Sequence, residues 1–306
     1  MFGSNALEVF IGLVFVYFIL SLFCSAAMEA FAGLFRLRAK TLEAGIRNLL
    51  SAGSPGKNDA AGNLAERFFS HTLIAPLCRW NIKGEVKRKP SYIPSKTFAL
   101  ALLDTVLPGG GQAGLPLQQA WEAVEKLPDE HPLRAPLVGM LKRAGGQVDL
   151  AQKQLEGWFD AAMDRVQGWY KRKASLIMFL IALVVVGATN ADTFGLFRTL
   201  SADAGIRAQL VEAASKVVAA NPPDMDAIEK AVEEQLTSGV EASIPFGWAA
   251  DPMVVGTSGP NVVDVLLKVF GLLVTVLMAT LGAPFWFEFL SKLVNLRGAG
   301  AKPVTT

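Results

Sequence analysis

The stretch Gln147–Ala191, QVDLAQKQLEGWFDAAMDRVQGWYKRKASLIMFLIALVVVGATNA, decides the architecture of this chain, because a charged amphipathic run passes into an apolar one without a break. Leu155, Trp158, Phe159, Ala162, Met163, Val166, Trp169 and Tyr170 recur at three- and four-residue steps, the period of a single buried helix face. Lys153, Glu156, Asp160, Asp164, Gln167 and Lys171 fill the opposite face. After the cluster Lys171-Arg172-Lys173, the 18 residues Ala174 to Ala191 carry no charge, which reads as a membrane span. One continuous helix from Asp149 to about Thr189 is expected, with its Trp158, Phe159, Met163, Val166 and Tyr170 face packed on a helix over Phe98 to Val106.

Two further apolar runs stand on either side of that stretch. Val9 to Met28 is free of charge over 20 residues, and Val269 to Phe287 over 19, between Lys268 and Glu288 and with Pro284 near the end. Each is long enough to cross about 30 Å of hydrocarbon as a helix. The first run lacks the basic n-region of a signal peptide and is followed by Arg36, Arg38 and Lys40, so it reads as a retained span. A hydrophobic content of 52% with 18% charge agrees with a membrane protein that has sizeable wet parts.

Charge sets the expected orientation. Residues 36–173 hold 21 Lys and Arg against 13 Asp and Glu, whereas residues 192–261 hold 4 against 10. Basic residues are retained on the cytoplasmic side, and they crowd the span ends at Arg36, Arg38, Lys40, Lys171, Arg172, Lys173, Lys292 and Arg297. The expectation is an all-α membrane protein with three transmembrane helices, a cytoplasmic helical domain and a small extracytoplasmic helical hairpin. In order these are a first span over 1–35, the cytoplasmic domain over 36–173, a second span over 174–191, the outer segment over 192–261, a third span over 262–290 and a cytoplasmic tail over 291–306. The N-terminus lies outside and the C-terminus inside. No stretch alternates with period two, so no sheet is expected.

Chemistry is sparse. Cys24 and Cys78 are far apart and read as unpaired thiols, and His71 and His131 have no ligand partner at helical spacing, so no metal or cofactor site is expected. Neither a nucleophile elbow nor a nucleotide-binding loop is present; Pro108-Gly109-Gly110-Gly111 reads as a linker. Asp160 and Asp164, one turn apart, read as solvated carboxylates or partners of Lys and Arg. Lys83, Lys87, Arg88 and Lys89 form a basic loop without interleaved aromatics, which points away from nucleic acid and toward an acidic partner or lipid headgroups. Glu29 is the one charge placed to lie within a bilayer, unless the helix simply carries it past the membrane edge.

The blocks PSYIPSKTFALALLD (90–104), WFDAAMDRVQGWYKRK (158–173), NADTF (190–194) and LGAPFWFEFLSKLVNLRGAG (281–300) resemble an uncharacterised family of bacterial integral membrane proteins. The resemblance implies a bacterial cytoplasmic (inner) membrane location and a three-span layout, and supplies no activity and no catalytic residues. The expected function is that of an integral membrane anchor or assembly protein presenting a cytoplasmic helical interaction domain to a protein partner or to a second copy of itself. The alternative is a homo-oligomeric pore lined by Gly271, Thr275, Ala279, Thr280, Gly282 and Ala283. An enzyme fits less well, since the spans carry no convergent set of polar groups.

Overall fold

The computed structural model describes residues 2–51, 59–80, 86–106, 117–127, 129, 131, 133–145, 147–220, 222–239, 244, 246–248 and 261–299. They are helical apart from one short ladder. In order, α1 runs Phe2–Phe35, α2 Leu37–Leu50, α3 Asp59–Phe69, α4 Ser95–Val106, α5 Leu117–Glu125, α6 Arg134–Arg143 and α7 Val148–Thr189. Then follow α8 Thr193–Ala202, α9 Ala204–Ala219, α10 Met225–Thr237, α11 Val262–Ala279 and α12 Ala283–Ala299. Three of these helices, α1, α7 and α11, are long and apolar enough to cross a membrane. The chain forms two compact units, one of Met1–Phe31 with Ala174–Thr306 and the other Ala32–Lys173.

The unit Ala32–Lys173 has its own apolar core. α1 gives way to α2 at Arg36, whose left-handed backbone (φ 52°) breaks the helix. Ile46 and Leu50 of α2, Phe68 and Phe69 of α3, Phe98 and Leu102 of α4, Trp121 of α5, Leu137 of α6, and Leu155 and Phe159 of α7 are all buried in one cluster. The rings of Phe98 and Phe159 stack with centroids 4.1 Å apart, so the expected packing of α7 on α4 is centred on Phe159. Trp158 and Met163 are only partly buried against this core, and Val166 faces α2 instead. A Cβ built on Gly45 would meet Val166 Cγ2 at 2.3 Å, so glycine lets α2 and α7 approach closely. The expectation of no sheet was incomplete: Arg79–Trp80 (β1) pairs antiparallel with Val86–Arg88 (β2). Strands of two and three residues are too short to display a period in sequence.

The other unit is built around the first half of α1. Ile11, Phe15, Val16, Phe18 and Leu20 are fully enclosed by residues that include Leu196, Leu200, Leu210, Val217, Ala283, Trp286 and Leu290. In its most apolar window α1 is therefore 72% buried, against 11% for α7 and 22% for α11, so protein rather than surroundings covers it. Three aspartates start the helices that wrap it: Asp192 accepts from Phe194 N and Gly195 N, Asp203 from Gly205 N and Ile206 N, and Asp224 from Ala227 N. The segment in which a hairpin of two helices is expected, 192–261, holds three helices before α11: α8, α9 and α10.

The expected third span over 262–290, with its bend at Pro284, is made of two helices, and the break comes before the proline. α11 stops at Ala279, Gly282 adopts φ 89°, and Trp286 Nε1 donates to Met278 O at 2.8 Å, which closes a tight turn ahead of Pro284. α12 then runs back along α1. Ser21 Oγ donates to Ala279 O at 3.1 Å, Trp286 and Phe287 lie 5.1 and 6.0 Å from Tyr17 and Phe18, and Arg297 reaches Glu8 at 3.3 Å. Charge counting treats each span end alone and does not register a turn made by one glycine.

Substituting Phe159→Ala is expected to destabilise the full-length protein in detergent by about 3–5 kcal/mol, whereas Trp158→Ala, at the edge of the core, costs less. Thermal unfolding of both variants checks the order; equal losses would displace Phe159 as the anchor.

Candidate functional site

Within the unit Ala32–Lys173, α7 and α2 enclose the most promising concavity. Asp160, Asp164, Gln167 and Lys171 form one stripe of α7, next to Phe159, Met163, Val166 and Tyr170. Arg38, Thr41 and Leu42 of α2 and the connection Ser91-Tyr92-Ile93 close the other side of a cavity of about 550 Å³. Its floor is apolar, from Leu42, Ile93, Phe159, Met163 and Val166, and its rim is charged and hydroxylic. Arg38 Nε donates to Tyr170 Oη at 3.4 Å, and its guanidinium lies 5.7 Å from the Tyr170 ring centroid. A second cavity of about 490 Å³ is bordered by Asn48, Pro136, Trp158, Arg165 and Trp169, with Val166 shared between the two.

Of the basic loop expected to meet a partner, Lys89 is the residue whose side chain is described. Lys83 lies outside the described residues, as do the side chains of Lys87 and Arg88. Lys89 is not a free solvated cation. Its ammonium donates to Glu43 Oε1 at 2.9 Å and to Glu66 Oε1 at 3.3 Å, and sits 4.5 Å from the Phe69 ring centroid. Arg47 bridges the same two carboxylates, Glu43 at 2.9 Å and Glu66 by a short contact. Burial opposes ionisation of Glu43 and Glu66, but the hydrogen bonds and charges of Lys89 and Arg47 outweigh it, and both carboxyls titrate below their ordinary range. The sequence signal for this network was Glu43 and Arg47 at i, i+4; the pairings of Arg47 with Glu66, 19 residues apart, and of Glu43 with Lys89, 46 apart, were invisible. Glu29 lies on an exposed face of α1, which continues through it to Phe35.

Both histidines serve local structure. His71 Nδ1 accepts from Leu73 N at 3.2 Å, and His131 Nδ1 accepts from Leu133 N at 3.3 Å, each pinning a turn two residues on. His71 Nε2 also lies 3.4 Å from the Asp104 carboxylate, close but poorly aligned for a hydrogen bond. Burial pushes the Asp104 carboxyl up, partly offset by His71. Burial also lowers the pKa of His131, helped by Arg67. Cys24 and Cys78 are free thiols. Among the described residues no group of three or more His, Cys, Asp or Glu is placed to hold a metal ion.

In the other unit, the small and polar residues of α11 are used for packing inside the chain. Thr275 Oγ1 lies 2.8 Å from Thr193 Oγ1, which lies 2.9 Å from Tyr17 Oη, forming a chain of hydroxyls from α11 through α8 to α1. A Cβ on Gly271 would overlap Asp192 Oδ1 at 1.7 Å. Ala279 and Ala283 are buried against the same body. Of the stripe on which a pore would depend, Gly271, Thr275, Ala279 and Ala283 are thus packed within the chain and Thr280 and Gly282 are half-buried, while the exposed face of α11 carries Val265, Leu266, Val269, Phe270, Leu273 and Leu277.

Compared with protein-family models, with curated proteins and with solved structures, the chain matches none.

The stabilisation from the Glu43–Arg47–Glu66–Lys89 network is expected in full above the ordinary carboxyl value of 4.5 and lost as pH falls through the depressed folded values. Lys89→Met is expected to cost about 1–2 kcal/mol at pH 7 and little near pH 3. Urea unfolding at the two pH values checks this; an equal loss at both would remove the charges from the explanation.

Proposed function

We propose that this chain is an integral membrane anchor that presents the helical unit Ala32–Lys173 as an interaction module on the cytoplasmic face of a bacterial inner membrane. The observation that carries this reading is the division of the chain: Ala32–Lys173 has its own core, and the helices that leave it at both ends, α1 and α7, are apolar enough to cross a bilayer. The exposed row Leu176, Leu180, Leu183 and Val184 of α7 suits hydrocarbon. Arg36, Arg38, Lys40 and Lys171 to Lys173 flank the two crossings, which supports a cytoplasmic position for this unit. The two cavities beside Val166, with the exposed Tyr92 and Trp169, supply surface for a partner.

In this reading α1 and α7 make the two crossings, while α11 and α12 form a hairpin that returns on the N-terminal side. Glu8, between Arg207 at 3.6 Å and Arg297 at 3.3 Å, supports the common side for both ends. The pore reading has less support, because the small-residue face of α11 is packed within the chain.

Single cysteines test the anchoring and its sides in a chain with Cys24→Ala and Cys78→Ala. Ala220→Cys and Asn295→Cys are expected to react with a membrane-impermeant maleimide in intact cells, and Lys153→Cys only after lysis. If Asn295→Cys reacted only together with Lys153→Cys, the chain would make a third crossing. Capture of partners from detergent-solubilised membranes tests the interaction role: Met163→Arg, in the cavity floor, is expected to lose a partner that the original chain retains. Identical captures would remove this surface from the role.

A further inference from the structure

The cavity beside α7 carries unpaired charges of both signs in a fixed order, and this order identifies its ligand. Asp160 and Asp164 line it at one end and Lys171 at the other; among the described residues none of the three has an ion-pair partner. Seven residues separate Asp164 from Lys171, about 10 Å along the helix, a distance that one Lys and one Asp side chain shorten to a few ångström. Oppositely charged groups left apart across an apolar floor favour a ligand that is itself dipolar.

From these features, and resting on the reading that the unit Ala32–Lys173 stands at the membrane face, we infer that the cavity binds the zwitterionic headgroup of a membrane phospholipid. Lys171 and Arg38 take the phosphate. Asp164 and Asp160 take the ammonium, beside the aromatic ring of Tyr92. The order along α7 matches the order within the lipid. Apolar sequence begins at Ala174; moving away from it, Lys171 comes first, then Gln167, then Asp164 and Asp160. In a phospholipid leaving the hydrocarbon, the phosphate likewise comes before the ammonium. Ser91 offers a hydroxyl to the ester oxygens, and the floor of Leu42, Ile93, Met163 and Val166 takes methylene groups. A volume of about 550 Å³ is on the scale of a small-molecule site and holds a headgroup with the start of its chains. An anionic lipid without an ammonium would satisfy the basic end and leave its phosphate near two carboxylates, an unfavourable pairing.

The test uses the full-length protein in detergent, with native mass spectrometry reading the lipid retained from equal amounts of dioleoyl phosphatidylethanolamine and dioleoyl phosphatidylglycerol. Retention of the first is expected to exceed that of the second about tenfold. The double variant Asp160→Asn with Asp164→Asn is expected to abolish the preference, and Arg38→Gln with Lys171→Gln to lower retention of both lipids. All four side chains are at the surface, and unchanged unfolding temperatures without lipid confirm that the variants fold. Equal retention of the two lipids by the original chain would overturn the proposal, as would a preference that survives both double variants. Soluble phosphoethanolamine retained as well as the lipid would reassign the site to a free phosphate ester, and a dimer lost in the variants would reassign it to a second copy. The cysteine labelling pattern reports on anchoring independently of all these outcomes.

Discussion

The structure of the membrane-associated unit depends on one requirement, the enclosure of the first half of α1. Its Ile11, Phe15, Phe18 and Leu20 leave almost no surface, and residues of every helix after α7 belong to the same apolar cluster. A helix with this composition is ordinarily covered by lipid, and here protein takes that place. The polar groups brought along are satisfied within the assembly: Tyr17 meets Thr193, Thr193 meets Thr275, and Ser21 donates to the carbonyl of Ala279. In low-dielectric surroundings such hydroxyl contacts fix register more strictly than apolar contacts do, because an unpaired hydroxyl is costly.

The same enclosure explains the return of α12. Trp286 and Leu290 are needed against α1, and a straight helix through 262–290 would carry them away from it. Gly282, with its positive φ, makes the reversal without strain, and the Trp286 indole closes the turn on Met278. Glu8 then draws Arg207 and Arg297 to one place. Arg297, which charge counting assigns to the cytoplasm, has a local partner, and a paired charge is weak testimony about sides.

The unit Ala32–Lys173 follows different physics. Apart from α7 its helices are short and individually marginal, and they are held by aromatic packing of Phe68, Phe98 and Phe159 rather than by propensity. Gly45 permits α2 to sit against Val166, and this close approach sets the two cavities on either side of the α7 ridge. Among the described residues the charges of α7 that face the larger cavity have no ion-pair partner, whereas Glu43 and Arg47 of α2, Glu66 of α3 and Lys89 form one network.

The amino-acid sequence by itself determined the helical class, the three apolar helices and the unbroken run of α7, because hydrophobic period and length are local properties. It also carried Phe159 and Phe98 as faces that meet. The partners of Lys89, the burial of α1, the turn at Gly282 and the pairing of Glu8 with Arg297 were decided only in tertiary structure. Each joins residues distant along the chain: 46 positions lie between Glu43 and Lys89 and 289 between Glu8 and Arg297. Periodicity says which face of a helix is apolar and nothing about what covers it, so lipid and protein leave the same trace in sequence; only packing distinguishes them.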